Sequence, residues 1–291
     1  MSVEVWAMMG AGIAALVAGF ILVRPRLQAA CGVDKILVLA PIFEAASLAV
    51  FAAEHFTAAR DLMSIVPKWL PGPLFWTYLV GAALLAAAIS FIAWRQVRWS
   101  AALLATLFLI FVITLDLPNV PAAAHDRFFW ILTVRETSFA GGAMVLAGSA
   151  WPNTSFASSA LIRIGRGIVA AVMIFYATQH FLFPHNVPGV PLAKLTPAWI
   201  PIPVAIAYLI GIVLLFAGVG LLIRRTIRIA AAGCGITLLL LTVFFYGAIF
   251  AAEIHSPLAV EGLNYIFDTM LFAATVLLAG RSADQAAARE A

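Results

Sequence analysis

Residues 36–56 read ILVLAPIFEAASLAVFAAEHF, and Glu44 is the only charge before Glu54. As a helix rising about 1.5 Å per residue, this run spans a bilayer core of ~30 Å. Similar runs recur on both sides of it. We read nine spans, at 4–23, 36–55, 74–94, 99–117, 128–148, 164–182, 202–223, 229–250 and 262–280. The chain is 64% hydrophobic and only 10% charged, with a mean hydropathy of +1.07; a soluble domain carries roughly a quarter charged residues. The fold class expected is therefore all-α, a polytopic membrane protein solvated by the lipid bilayer.

Several function classes drop out on composition. The net charge of +4 comes from short basic clusters between apolar runs, with no continuous basic face, so nucleic acid is not an expected partner. Cys31 and Cys234 are far apart and form no CxxC pair, which leaves a disulfide framework or thiol relay unsupported. The glycine pairs at Gly10 and Gly12, Gly141 and Gly142, Gly165 and Gly167, and Gly218 and Gly220 lack the strand-to-helix setting of a phosphate loop. Close helix packing is their expected role.

Lys and Arg are unevenly shared between alternate loops. One set, with its adjoining tail, holds Arg24, Arg26, Lys35, Arg95, Arg98, Arg163, Arg166, Arg224, Arg225, Arg228, Arg281 and Arg289. The other holds Arg60, Lys68, Arg127 and Lys194, with Arg135 near the same side. Basic loops stay preferentially in the cytoplasm. The expected topology is a multi-pass protein of the bacterial cytoplasmic (inner) membrane, N-terminus outside and C-terminus cytoplasmic. All five histidines, His55, His125, His180, His185 and His255, then lie at the outer face.

The chain also repeats itself. Ala52, His55 and Phe56 match Ala177, His180 and Phe181 at an offset of 125; Pro67, Trp69, Pro71, Pro73, Tyr78, Leu79 and Gly81 match Pro197, Trp199, Pro201, Pro203, Tyr208, Leu209 and Gly211 at 130. His125 meets His255 at the same offset, and Glu136-Thr137 meets Asp268-Thr269 at 132. The expected organisation is an extra N-terminal helix and basic loop (1–35), a first four-helix repeat (36–150), a second (151–281) and a cytoplasmic tail (282–291). Four spans per repeat give both copies the same polarity, related by a pseudo-two-fold axis along the membrane normal.

Three sets of residues are candidates for function. In each repeat one histidine ends the first span (His55, His180) and another follows the third (His125, His255), which puts each pair within reach at the outer side. Such imidazoles serve as backbone-bonded helix ends, as proton carriers, or as metal or haem ligands; no metal is assigned, the ligands of any metal being His55 with His125 or His180 with His255, and near the surface without a Cys-x-x-Cys-His site haem is the weaker option. Glu44, Arg135, Glu136, Asp116 and Asp268 place charge inside spans, where each costs roughly 2.5–3.5 kcal/mol unless partnered. Arg135 has Glu44 and Asp116 as candidate partners within the first repeat, and Glu136 with Asp268 forms an equivalent pair of acids suited to proton exchange. Trp69 and Trp199, each between two prolines, suit the headgroup zone as interface anchors.

The helix ends Phe51–Phe56 and Tyr176–Phe181, the Pro-x-Trp-x-Pro turns at 67–71 and 197–201 and the Tyr-Leu-x-Gly helices at Tyr78 and Tyr208 resemble the DoxX and DoxX-like membrane family. The resemblance covers about residues 36–280, with two units where most members have one. It implies a four-helix membrane unit, sometimes attached to oxidoreductases. In some members it implies a subunit of a quinone-reducing system.

The function expected is a redox-associated, quinone-interacting membrane subunit, with His55, His125, His180, His255, Glu136 and Asp268 handling protons. Alternatives are a non-catalytic accessory or scaffold in a larger membrane or redox complex, and a transporter of a small solute or metal. A transporter of that kind calls for helices broken near mid-membrane, and none is evident in the sequence.

Overall fold

The computed structural model describes residues 2–151 and 155–281; the tail expected at 282–291 lies outside them. Among the described residues nine helices are long enough to span a bilayer: α1 (Val3–Leu22), α2 (Asp34–Thr57), α3 (Pro73–Ala93), α4 (Val97–Ala123), α5 (Arg127–Ser149), α6 (Phe156–Leu182), α7 (Pro203–Leu222), α8 (Ile227–Glu253) and α9 (Ala259–Ala279). Eight are also apolar enough to cross a membrane. The ninth, α5, carries Arg127, Arg135 and Glu136 in its first half and is held among the others. The outer flank is greasy, with Phe216 and Phe244 about three-quarters exposed (73% and 74%). Water would not tolerate so much exposed apolar surface; lipid does. The protein is an all-α, polytopic membrane protein.

Neighbouring helices pack in chain order, α2 on α3, α3 on α4, α4 on α5, and then α6 on α7, α7 on α8, α8 on α9. The fourth helix of each unit does not close back tightly on its own first helix. Instead α5 packs on α6, α9 packs on α2, and α5 and α9 pack on each other. The result is two five-helix rings sharing the α5–α9 edge, each built from the four helices of one repeat and the last helix of the other. α9 is accordingly the most buried of the spans, whereas α1 lies outside against α2 and leaves Val3, Trp6 and Ile13 more than half exposed.

Positions aligned by the internal repeat share local geometry. Leu70 N–H donates to Pro67 O at 2.9 Å and Ile200 N–H to Pro197 O at 3.0 Å, closing the two Pro-x-Trp-x-Pro turns. The residue after each turn is left-handed, Gly72 (φ 70°) before Pro73 and Ile202 (φ 46°) before Pro203. Each proline then begins a helix, where its missing N–H costs nothing. Trp69 and Trp199 stand exposed beside them, at 68% and 56%. A β-branched residue in the left-handed region costs roughly 1–2 kcal/mol. Gly72→Ile should therefore lower the thermal midpoint measured in detergent, and Ile202→Gly should raise it.

α4 and α8 each contain a turn of π-helix, at Val112–Asp116 and Leu241–Tyr246. These are local irregularities of the kind the sequence did not disclose. A π turn leaves the i→i−4 ladder and often marks a functional position.

At the end of the bundle rich in arginine, Arg166 Nε donates to Ala279 O at 2.8 Å and its Nη2 to Arg281 O at 2.6 Å, capping the last turn of α9. Arg281, one of the twelve residues assigned to the basic loops, is buried to 1% exposure and reaches Ser149 Oγ at 3.2 Å. Arg228 pairs with Asp34 there. The histidines all lie at the opposite end.

Candidate functional site

His180 ends α6 and is buried. Its Nδ1 lies 2.6 Å from Tyr176 O, and Gly189 N–H donates to Nε2 at 2.9 Å. A backbone N–H can only donate, so Nε2 is the acceptor and Nδ1 carries the proton. Gly189 belongs to a short excursion of chain, residues 186–195, that folds back on itself. Asn186 bridges Leu195, and Val187 N–H donates to Lys194 O at 3.0 Å. The tip, residues 187–192, is entirely buried.

The polar groups of that tip are met from several helices. Tyr246 Oη, at the end of the α8 π turn, donates to Pro188 O at 2.5 Å. Arg127 of α5 donates from Nη2 to Pro191 O at 2.8 Å and from Nε to Gln179 Oε1 at 3.0 Å. Lys194 is held by Glu253 at 3.0 Å and Glu261 at 3.4 Å. Gly189 has a φ of +96°, and a Cβ there would sit 2.9 Å from Leu241 Cδ2, so only glycine fits the tip. The excursion is a plug that fills the mouth of the second ring.

His55 is the aligned residue of α2, and the local frame is the same. Its Nδ1 lies 2.7 Å from Phe51 O. A Cβ on Gly81 would lie 2.8 Å from His55 Cβ, and one on Gly211 3.0 Å from His180 Cβ, so α3 and α7 approach the two histidines alike. Phe56 stacks on Tyr78, and Phe181 lies against Tyr208, both at 6.2 Å between ring centroids. The covering segment differs. Loop 58–72 is shorter, and between residues 60 and 72 none is buried. His55 is half-buried, and among the described residues its Nε2 receives no hydrogen bond.

Deeper in the bundle, Arg135 of α5 donates from Nη1 to Asp268 of α9 at 3.3 Å and lies 3.8 Å from Glu136. Asp116, closing the α4 π turn, lies close to Arg135 and Thr133 and feels Glu136. One guanidinium thus faces three carboxyl groups. Asp116 Oδ2, Glu136 Oε2 and Arg135 Nε are buried without hydrogen-bond partners among the described residues. Arg135 does not pair with Glu44, one of the two partners expected for it. Its ion pair runs instead to the second unit, because α5 and α9 are neighbours. Glu44, 1% exposed, faces the field of Arg281, and its Oε2 makes no hydrogen bond.

Among the described residues no hydrogen bond joins His55 to His125 or His180 to His255. His125 and His255 are exposed on turns before α5 and α9, and both ring nitrogens of His180 are already engaged. His255 lines an open groove of ≈ 460 Å³ with Ser2, Glu4 and Pro257. Among the described residues no three His, Cys, Asp or Glu side chains gather as a metal-ligand set. Asn264 was not singled out by the sequence, yet its Nδ2 donates to Glu54 Oε1 at 2.8 Å and ties α2 to α9. Tyr246, too, shows its role only once the plug is in place. The one hint in sequence was its alignment with Asp116 at the repeat offset of 130.

The model of one family, described as a domain of unknown function (DUF8561), matches residues 44–127. That stretch begins at Glu44 and takes in His55, the Pro67–Pro71 turn, α3, α4 and Asp116. No curated protein and no solved structure matches the chain.

Proposed function

We propose that the protein is a redox-associated membrane subunit in which the first unit exchanges protons with a quinone near the histidine end. The observation that carries this reading is the contrast between the two histidines: His180 Nε2 is covered by the chain's own Gly189, whereas His55 Nε2 is left open. The DoxX resemblance of the Phe51–Phe56 helix end and the Pro67–Pro71 turn supplies the substrate class. In this reading the family carries over to this chain as a tandem duplicate. The Lys and Arg bias supports a site on the outer side of a bacterial cytoplasmic membrane, with the N-terminus outside and the C-terminus in the cytoplasm.

Reduction of a quinone to a quinol takes up two electrons and two protons. The electrons would come from the redox centre of a partner complex. His55, Asp116 and Glu136 would exchange the protons, with Asp268 and Arg135 holding Glu136 in place. Protein purified from its own membranes should carry extractable quinone. Membranes with Glu136→Gln should show slower quinone-dependent turnover at unchanged protein level. Absence of bound quinone, together with unchanged quinone turnover in membranes lacking the protein, would remove this reading.

A second reading is favoured by one observation. Glu44 and Arg281 extend the buried charge from the Arg135 cluster towards the arginine end, while Val169 stands opposite Glu44 in the second unit. A proton passage through the first unit would use this column. Proteoliposomes loaded with a pH-sensitive dye should then leak protons less with Glu44→Gln; equal leak from both proteins excludes the passage.

A further inference from the structure

In the second unit the plug acts as a ligand that the chain provides for itself. Its Gly189 N–H bonds the buried histidine, its Pro188 carbonyl takes the Tyr246 hydroxyl, and its apolar flanks Val187, Val190 and Leu192 are buried around them. The first unit repeats the receiving frame and not the plug. Its histidine makes the same bond to the carbonyl four residues back, is approached by a glycine in the same way, and sits beside the same aromatic pair. The α4 π turn matches the α8 π turn and ends on Asp116 where the other ends on Tyr246. Over this frame runs a loop that buries none of residues 60–72.

We infer that the first unit binds, at His55, a diffusible aromatic alcohol whose O–H takes the position that the Gly189 N–H takes in the second unit. The preference for a donor follows from the acceptors present. Phe51 O can only accept, so it fixes the proton of neutral His55 on Nδ1 and leaves Nε2 as an acceptor. Asp116 then stands where the matched frame has a donor, the Tyr246 hydroxyl, and brings a carboxyl group whose Oδ2 is buried without a hydrogen-bond partner among the described residues. An ionised carboxylate likewise only accepts. An acceptor in a partly desolvated frame, His55 Nε2 selects a molecule with a hydroxyl over one that offers only carbonyls, because an acceptor facing an acceptor leaves both unsatisfied.

This deepens the proposed function. It rests on that reading for the location of the site, and it adds that the reduced, dihydroxy form is the one held.

The test uses the full chain in lipid nanodiscs and three probes of one shape: 2,3-dimethylhydroquinone, its dimethyl ether and the corresponding benzoquinone. Calorimetric titration should show the hydroquinone binding about tenfold more tightly than either of the others, the discrimination expected of one hydrogen bond to a half-buried acceptor. His55→Leu should remove that preference. Asp116→Asn, which exchanges an acceptor for a donor, should narrow the gap between hydroquinone and benzoquinone, and it provides the comparison should His55→Leu fail to fold. Equal binding of hydroquinone and dimethyl ether overturns the inference, as does a preference that survives both substitutions. Tighter binding of benzoquinone overturns the inference and leaves the proposed function standing. Failure of all three probes to bind overturns both.

Discussion

Arg135→Leu should be among the most damaging single substitutions in the chain. It removes the cation that pairs with Asp268 and Glu136 and whose field reaches Asp116, and Asp268 keeps only 8% of its side chain exposed. Breaking a buried ion pair from one side costs about 3–5 kcal/mol, since a charge is left behind without a partner. Arg135 itself retains 23% of its exposure, which puts the expected loss at the lower end, about 3 kcal/mol. The double substitution Arg135→Leu with Asp268→Leu takes away both members of the pair and should recover much of that loss. Thermal unfolding in detergent measures both. A single substitution as stable as the parent would mean that the pair does not hold α5 to α9.

Gly165→Val should come next, acting through shape alone. α5 and α6 cross at Gly141 and Gly165: a Cβ on Gly165 would overlap the Gly141 carbonyl oxygen, and one on Gly141 would lie 2.9 Å from the Gly165 carbonyl. Neither backbone atom can turn aside as a side chain would. The helices must separate, and overpacking of this kind costs roughly 1–3 kcal/mol. Gly167 is the control, because a Cβ there meets nothing within 4 Å. Gly167→Val should leave the thermal midpoint nearly unchanged while Gly165→Val lowers it by several degrees. Equal effects would show that chain propensity, and not the crossing, is being measured.

The number of the spans is legible in the sequence because the bilayer imposes one length on every apolar run. The repeat is legible because Pro, Trp and His are rare enough to align with confidence against a background of Leu and Ala. The partner of Arg135 is harder to read. Glu44 and Asp116 lie in the same repeat, and nothing along the chain says that α5 would prefer α9 to α2; that choice belongs to helix surfaces meeting in three dimensions. The plug is hidden for a related reason. Val187-Pro188-Gly189-Val190-Pro191-Leu192 reads as an ordinary Pro- and Gly-rich loop, and loops normally stay at the surface. It can be buried because His180, Tyr246 and Arg127 satisfy its backbone from three different helices. The π turns carry no residue signature at all.

The edge shared by α5 and α9 constrains how such a protein can exist in halves. Each ring borrows a wall from the other, so a chain holding only one unit would leave its fourth helix facing lipid with a charged flank. It would complete itself only by pairing with a second copy about the same two-fold axis, at a concentration set by expression. Joining the copies end to end replaces that encounter with a tether. It also frees the copies to diverge, one mouth sealed by its own loop while its twin stays accessible.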